Sequence, residues 1–168
     1  MSDCPMKGNR NALPYQSAIQ ISRNEQDRII KHALEILKDR HAPGKTLSSA
    51  KDTRNYLKLL LQSERYEVFG CIYLTAQHKV INQNNLFTGT IDGASVYPRV
   101  VVQHCLEYNA AAVLFYHNHP SGDCEPSQAD QRITRRLKDA LAILDIRVLD
   151  HIIINGVNAT SMAELGMI

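Results

Sequence analysis

His117 and His119 are separated by a single residue at the end of an apolar run, residues 110–116, and Asp130 follows with ten residues between it and His119. If extended backbone persists through the pair, residues i and i+2 project to the same side and both imidazoles face one point. Two neutral imidazoles and a carboxylate, with a fourth position left to water, form a chemically complete set for one catalytic zinc ion. Iron or manganese suits the same nitrogen and oxygen donors. Ser127 stands three residues before Asp130, and Ser-x-x-Asp ahead of an apolar helical period is also the signature of a capping box, which needs no metal. The two roles are compatible. The carboxylate can serve an ion while Ser127, at a helix N-terminus with its partial positive charge, helps hold an oxyanion.

Hydrolysis at such an ion requires a general base. Glu67 opens the apolar run 68–74, where burial would bring its carboxyl towards the working range of a base. Glu64, three residues earlier, has equal standing on these grounds. Cys124, five residues after His119, carries a thiol that could compete for an ion, but Asp130 already completes the set and Cys124 reads as a bystander. His151 lies among apolar neighbours and reads as a core histidine bonded to backbone, with a role behind a ligand as the alternative. His41, His78 and His104 read as surface residues.

The elements that must position these groups follow from periodicity. Ser22 and Glu25 start a helix that carries Ile29, Ile30, Ala33, Leu34 and Leu37 at helical spacing and ends near Arg40. Ser49 and Asp52 start a second, running through Tyr56, Leu57, Leu60 and Leu61. Residues 68–74 are apolar on both faces and suit a central strand, with 79–87 as its hairpin partner and the turn around 76–78. Residues 95–108 read as a helix with Pro98 in its first turn, 110–116 as a strand, 127–144 as a helix, 147–154 as a strand and 157–168 as a short tail. The order β-β-α-β-α-β describes an α/β fold, a mixed sheet sandwiched by helices, with an N-terminal helical extension. Residues 1–20 are expected to form a flexible arm, 21–65 the helical segment and 66–168 the hydrolase domain.

In 168 residues, 44% of them hydrophobic, one core is expected rather than two large domains. No window suits a membrane span and no apolar run opens the chain as a secretion signal would, so a cytoplasmic location is expected. The four cysteines are widely and unevenly spaced with no Cys-x-x-Cys pair, which argues against a disulfide framework and a cysteine zinc knuckle. Residues 1–65 hold 12 Lys/Arg against 7 Asp/Glu, and residues 66–168 hold 7 against 10. This basic front half permits a nucleic-acid surface, although the excess is small enough for ordinary solvation.

The stretches Glu67-Val-Phe-Gly70, Gly89-Thr-Ile-Asp-Gly-Ala-Ser-Val-Tyr-Pro-Arg99, His117-Asn-His-Pro-Ser-Gly122, Ser127-Gln-Ala-Asp130 and Val148-Leu-Asp-His151 resemble the RadC-like proteins of the JAMM/MPN metalloprotease superfamily. The resemblance covers roughly residues 24–167. It implies a cytidine-deaminase-like architecture, one Zn2+ per chain on His117, His119 and Asp130, Glu67 as acid/base, and Ser127 as oxyanion stabiliser. It also implies hydrolysis of a peptide or isopeptide bond in a protein or peptide substrate. Longer members carry a helix-hairpin-helix-like region, whereas residues 1–65 show two helices and no Gly-rich hairpin, which weakens any inference of duplex binding.

Two other functions compete with the metallohydrolase. One is a nucleic-acid-binding protein of repair or recombination, which the historical family name implies; the other is a scaffold whose zinc is structural. His117-Asn118-His119 is not the nuclease motif of that name, whose residues are scattered over a longer segment. A nucleobase deaminase is excluded because His-x-Glu and Pro-Cys-x-x-Cys are absent.

Overall fold

The computed structural model describes residues 22–47, 49–89, 95–120, 123–156 and 158–168. The expected N-terminal arm, 1–20, therefore lies outside the described residues, as do residues 90–94 and 121–122 of the quoted motifs.

Among the described residues, two helices come first. In α1 (Arg23–Arg40) the Ser22 hydroxyl accepts from the Glu25 amide, and in α2 (Ala50–Leu61) Ser49 does the same for Asp52, so both starts are closed by the side chains that the spacing selects. None of the residues of α1 is buried, whereas α2 buries Thr53, Tyr56, Leu57 and Leu61. His41, expected at the surface, is instead 8% exposed. Its ring stacks on Tyr56 at 4.6 Å and its Nδ1 lies 2.7 Å from the Leu37 carbonyl, because the end of α1 turns the imidazole under α2.

A five-stranded mixed sheet follows, ordered β2-β1-β3-β4-β5. β1 (Val68–Leu74) is buried at every position and pairs antiparallel with both β2 (Val80–Thr88) and β3 (Ala112–Asn118). The hairpin between β1 and β2 turns through His78, at φ 59°. β4 (Arg147–Asn155) runs parallel to β3, joined by the crossover helix α4 (Gln128–Ala142). Residues 157–168 are more than a tail, since β5 (Asn158–Ser161) pairs antiparallel with β4.

Alternation along β1 and β3 divides the core. Val68, Ile72, Leu74, Ala112, Leu114 and Tyr116 face α2, while Phe69, Cys71, Tyr73, Val113 and Phe115 face α3 (Pro98–Glu107) and α4. α3 begins at Pro98 rather than near residue 95. A residue before proline is pushed out of the helical region, and Tyr97 accordingly sits at φ −105°, ψ 111°. On the face towards α2, Gly70 pairs with Tyr116 across β1 and β3. The Tyr116 hydroxyl lies 2.9 Å from Gln83 Nε2 and 2.8 Å from Asn85 Oδ1. Among the described residues, no helix is long and apolar enough to cross a membrane.

Candidate metal centre

β3 carries the extended conformation through His117 and Asn118, and the next amide, of His119, continues the ladder by donating to the Ile154 carbonyl at 2.8 Å. His117 and His119 thus share the face towards α4, as i and i+2 positions must. Asp130 reaches them from the first turn of α4. His117 Nε2 stands 2.8 Å from His119 Nε2 and 3.2 Å from Asp130 Oδ1, and His119 Nε2 is 3.5 Å from Asp130 Oδ2. These three residues offer ligand atoms that all lie within 4.8 Å of one another.

The donor set fits a single small cation. Ligand atoms bound tetrahedrally at about 2.0–2.1 Å from one zinc stand about 3.3 Å apart, and the observed separations bracket that value. Two imidazole nitrogens aimed at each other and at a carboxylate need a positive charge between them, either a proton or a metal.

Each of the three side chains is held from behind. The Asp123 carbonyl accepts from His119 Nδ1 at 2.7 Å, which leaves the His119 Nε2 lone pair for the ion. Asp130 takes part in a complete capping box: Ser127 Oγ accepts from the Asp130 amide at 3.1 Å, and Asp130 Oδ2 accepts from the Ser127 amide at 2.8 Å. The cap thus fixes the carboxylate that faces the two imidazoles, so capping and a place in the candidate metal centre are compatible. Behind His117, Nδ1 lies 2.7 Å from His151 Nε2, and His151 Nδ1 lies 2.6 Å from Thr134 Oγ1. The reading of His151 as bonded to backbone through its ring is corrected here, since both ring nitrogens meet side chains.

Electrostatics follow from this packing. Burial alone would push the Asp130 carboxyl up, but the adjacent imidazoles of His117 and His119 hold it well below the usual carboxylate range. Its hydrogen bond to Asp130 raises the His119 pKa; burial opposes this, while the Asp123 carbonyl and the nearby charge of Glu67 add to it. Desolvation keeps His151 neutral, well below the ordinary imidazole value.

Glu67 sits one residue before β1. With Phe69 paired to His117, continuing the antiparallel register places Glu67 opposite His119, on the face that carries both imidazoles. Its neighbours are pinned: Asn118 Oδ1 accepts from the Val68 amide at 2.7 Å and Asn118 Nδ2 donates to the Tyr66 carbonyl at 3.0 Å. Glu64 is exposed in the turn after α2, outside that register. Cys124 stands outside the converging group and accepts from the Thr160 hydroxyl at 3.2 Å. Asn118, Thr134 and His151 are the contributors that sequence reasoning missed or undervalued. The one available signal was the polar character of Asn118 and His151 within otherwise apolar strands.

The family model of the RadC-like JAB domain matches residues 47–167. Two UPF0758 proteins of Vibrio cholerae serotype O1 are 49% and 51% identical to this chain, over 92% and 94% of its length and 97% and 98% of their own. A UPF0758 protein of Ectopseudomonas mendocina is 52% identical over 82% of this chain and 62% of its own length. The chain thus spans about three fifths of that longer relative.

Proposed function

The chain belongs to the RadC-like JAB domain family, and from that membership and its converging side chains we propose that it is a zinc-dependent hydrolase of peptide or isopeptide bonds. The observation that carries this reading is the juxtaposition of two imidazoles and a carboxylate within 4.8 Å, with Glu67 in register opposite His119. His117, His119 and Asp130 would hold the zinc. When bound, zinc supplies Lewis acidity, polarising a carbonyl and acidifying water.

The remaining chemistry falls to the chain's own groups. Glu67 takes a proton from the attacking water and returns it to the departing amine, so one carboxylate acts first as base and then as acid. The Ser127 hydroxyl oxygen accepts from the Asp130 amide, which leaves its own proton to donate to the carbonyl oxygen as negative charge develops there. Asn118, bonded on either side of Glu67, fixes the backbone from which that carboxylate projects.

The test is metal analysis combined with cleavage. Purified protein should hold about one zinc per chain and cleave members of a peptide and isopeptide library in a chelator-sensitive manner. Equal zinc in a His117→Ala/His119→Ala variant, or no cleavage of any library member by zinc-loaded protein, would defeat the proposal.

A further inference from the structure

A neutral imidazole carries one proton, and a ring that ligates through Nε2 must carry it on Nδ1. For His119 the Asp123 carbonyl decides the matter, because a carbonyl can only accept. For His117 the partner is another imidazole, His151 at 2.7 Å, and either ring could donate.

The choice is made two bonds further away. Thr134 Oγ1 lies 2.6 Å from the Asp130 carbonyl oxygen and 2.6 Å from His151 Nδ1. The carbonyl claims the hydroxyl proton, so the Thr134 oxygen accepts from His151 Nδ1. His151 Nε2 is then bare and accepts from His117 Nδ1, which leaves His117 Nε2 bare towards His119 and Asp130. Run the other way, the chain would set a hydroxyl lone pair against a carbonyl lone pair at 2.6 Å and put a proton on the ligating nitrogen. His117, Thr134 and His151 are each no more than 1% exposed, and at such burial protein groups must satisfy one another.

We infer that Thr134 and His151 are positioning residues that transmit the hydrogen-bond direction of the Asp130 carbonyl to His117, fixing it as a ligand through Nε2. This inference rests on the metal-centre reading. In it, one residue supplies a ligand with its side chain and, with its backbone, sets the tautomer of a second ligand.

The experiment compares zinc affinity, by chelator competition, in wild type, Thr134→Val and Thr134→Ser, with nitrogen-15 spectra of the histidine rings. Valine keeps the shape and removes the hydroxyl, and should weaken zinc binding by roughly 10- to 100-fold, the usual effect of losing a partner behind a ligand. Serine restores the hydroxyl and should return affinity to within about threefold of wild type on the same argument. In the wild-type spectra His151 should be protonated on Nδ1. Equal affinity of the valine variant, failure of serine to rescue, or His151 protonated on Nε2 would overturn the inference. The wild-type spectra decide it even if the valine variant does not fold. Wild-type protein that took up no zinc would instead overturn the metal-centre reading, a distinguishable result.

Discussion

The ring of Tyr116 lies across Gly70, occupying the space that a side chain on Gly70 would need. The two residues are direct partners between β1 and β3, one pairing step from the Phe69–His117 pair. The ring cannot retreat freely, because its hydroxyl is engaged by Gln83 and Asn85. Gly70→Ala should therefore destabilise the protein by on the order of 1–3 kcal/mol through overpacking. Chemical denaturation would read this as a lower midpoint, and an unchanged midpoint would show that the ring moves aside easily.

Glu67→Gln should leave zinc content unchanged, since Glu67 is outside the ligand set. It should slow cleavage by roughly 10²- to 10⁴-fold, the usual contribution of a positioned general acid/base. Zinc assay and cleavage rate on one preparation provide the check. Full activity in the amide variant would assign proton transfer elsewhere.

Asn118→Ala removes the acceptor of the Val68 amide and the donor to the Tyr66 carbonyl. Both imidazoles project to the other side of β3, so zinc stoichiometry should hold while kcat falls as Glu67 loses its fixed backbone. Asn118→Asp, which keeps the acceptor alone, should lie between alanine and wild type. Loss of zinc in the alanine variant would show instead that Asn118 holds the ligand strand itself.

Acidity should act on the metal-free centre from both sides. Asp130 is depressed in the folded protein, so its contribution to stability is fully present above the unfolded carboxyl value near 3.9 and is lost as pH falls below it. His119 is raised, so its contribution is fully present below the unfolded value near 6.5 and is lost as pH rises through its folded pKa. Metal-free protein should be most stable between these two windows, and Asp130→Asn should flatten both arms. Zinc affinity should climb with pH as His119 gives up its proton. Denaturation midpoints and chelator competition across pH 3–9 test this, and a profile identical in Asp130→Asn would sink it.

Elements announced by local signals were legible: the caps at Ser22, Ser49 and Ser127, the doubly apolar β1 and the hairpin after it. The convergence of His117, His119 and Asp130 was legible too, since they lie within one strand-loop-helix unit and the i, i+2 geometry holds. The support behind them was not. His151 is 34 residues from His117, and the parallel pairing of β3 with β4 brings them together, so its apolar neighbours made it look like any core histidine. β5 was missed because Asn158-Ala-Thr-Ser161 has little strand character of its own and forms by pairing with β4. The apolar stripe of α3 points to a start near residue 95, but the steric demand of Pro98 keeps Tyr97 extended and delays the helix to Pro98.

The alternation of His117, Asn118 and His119 across β3 makes the centre a matter of parity. A deletion or insertion of one residue upstream in that strand would turn Asn118 towards α4 and send both imidazoles to the side packed by α2. No rotamer change could undo such an inversion. Exchanges of side chain around the rim leave the count intact, so the centre tolerates substitution there while the length of this one strand stays fixed.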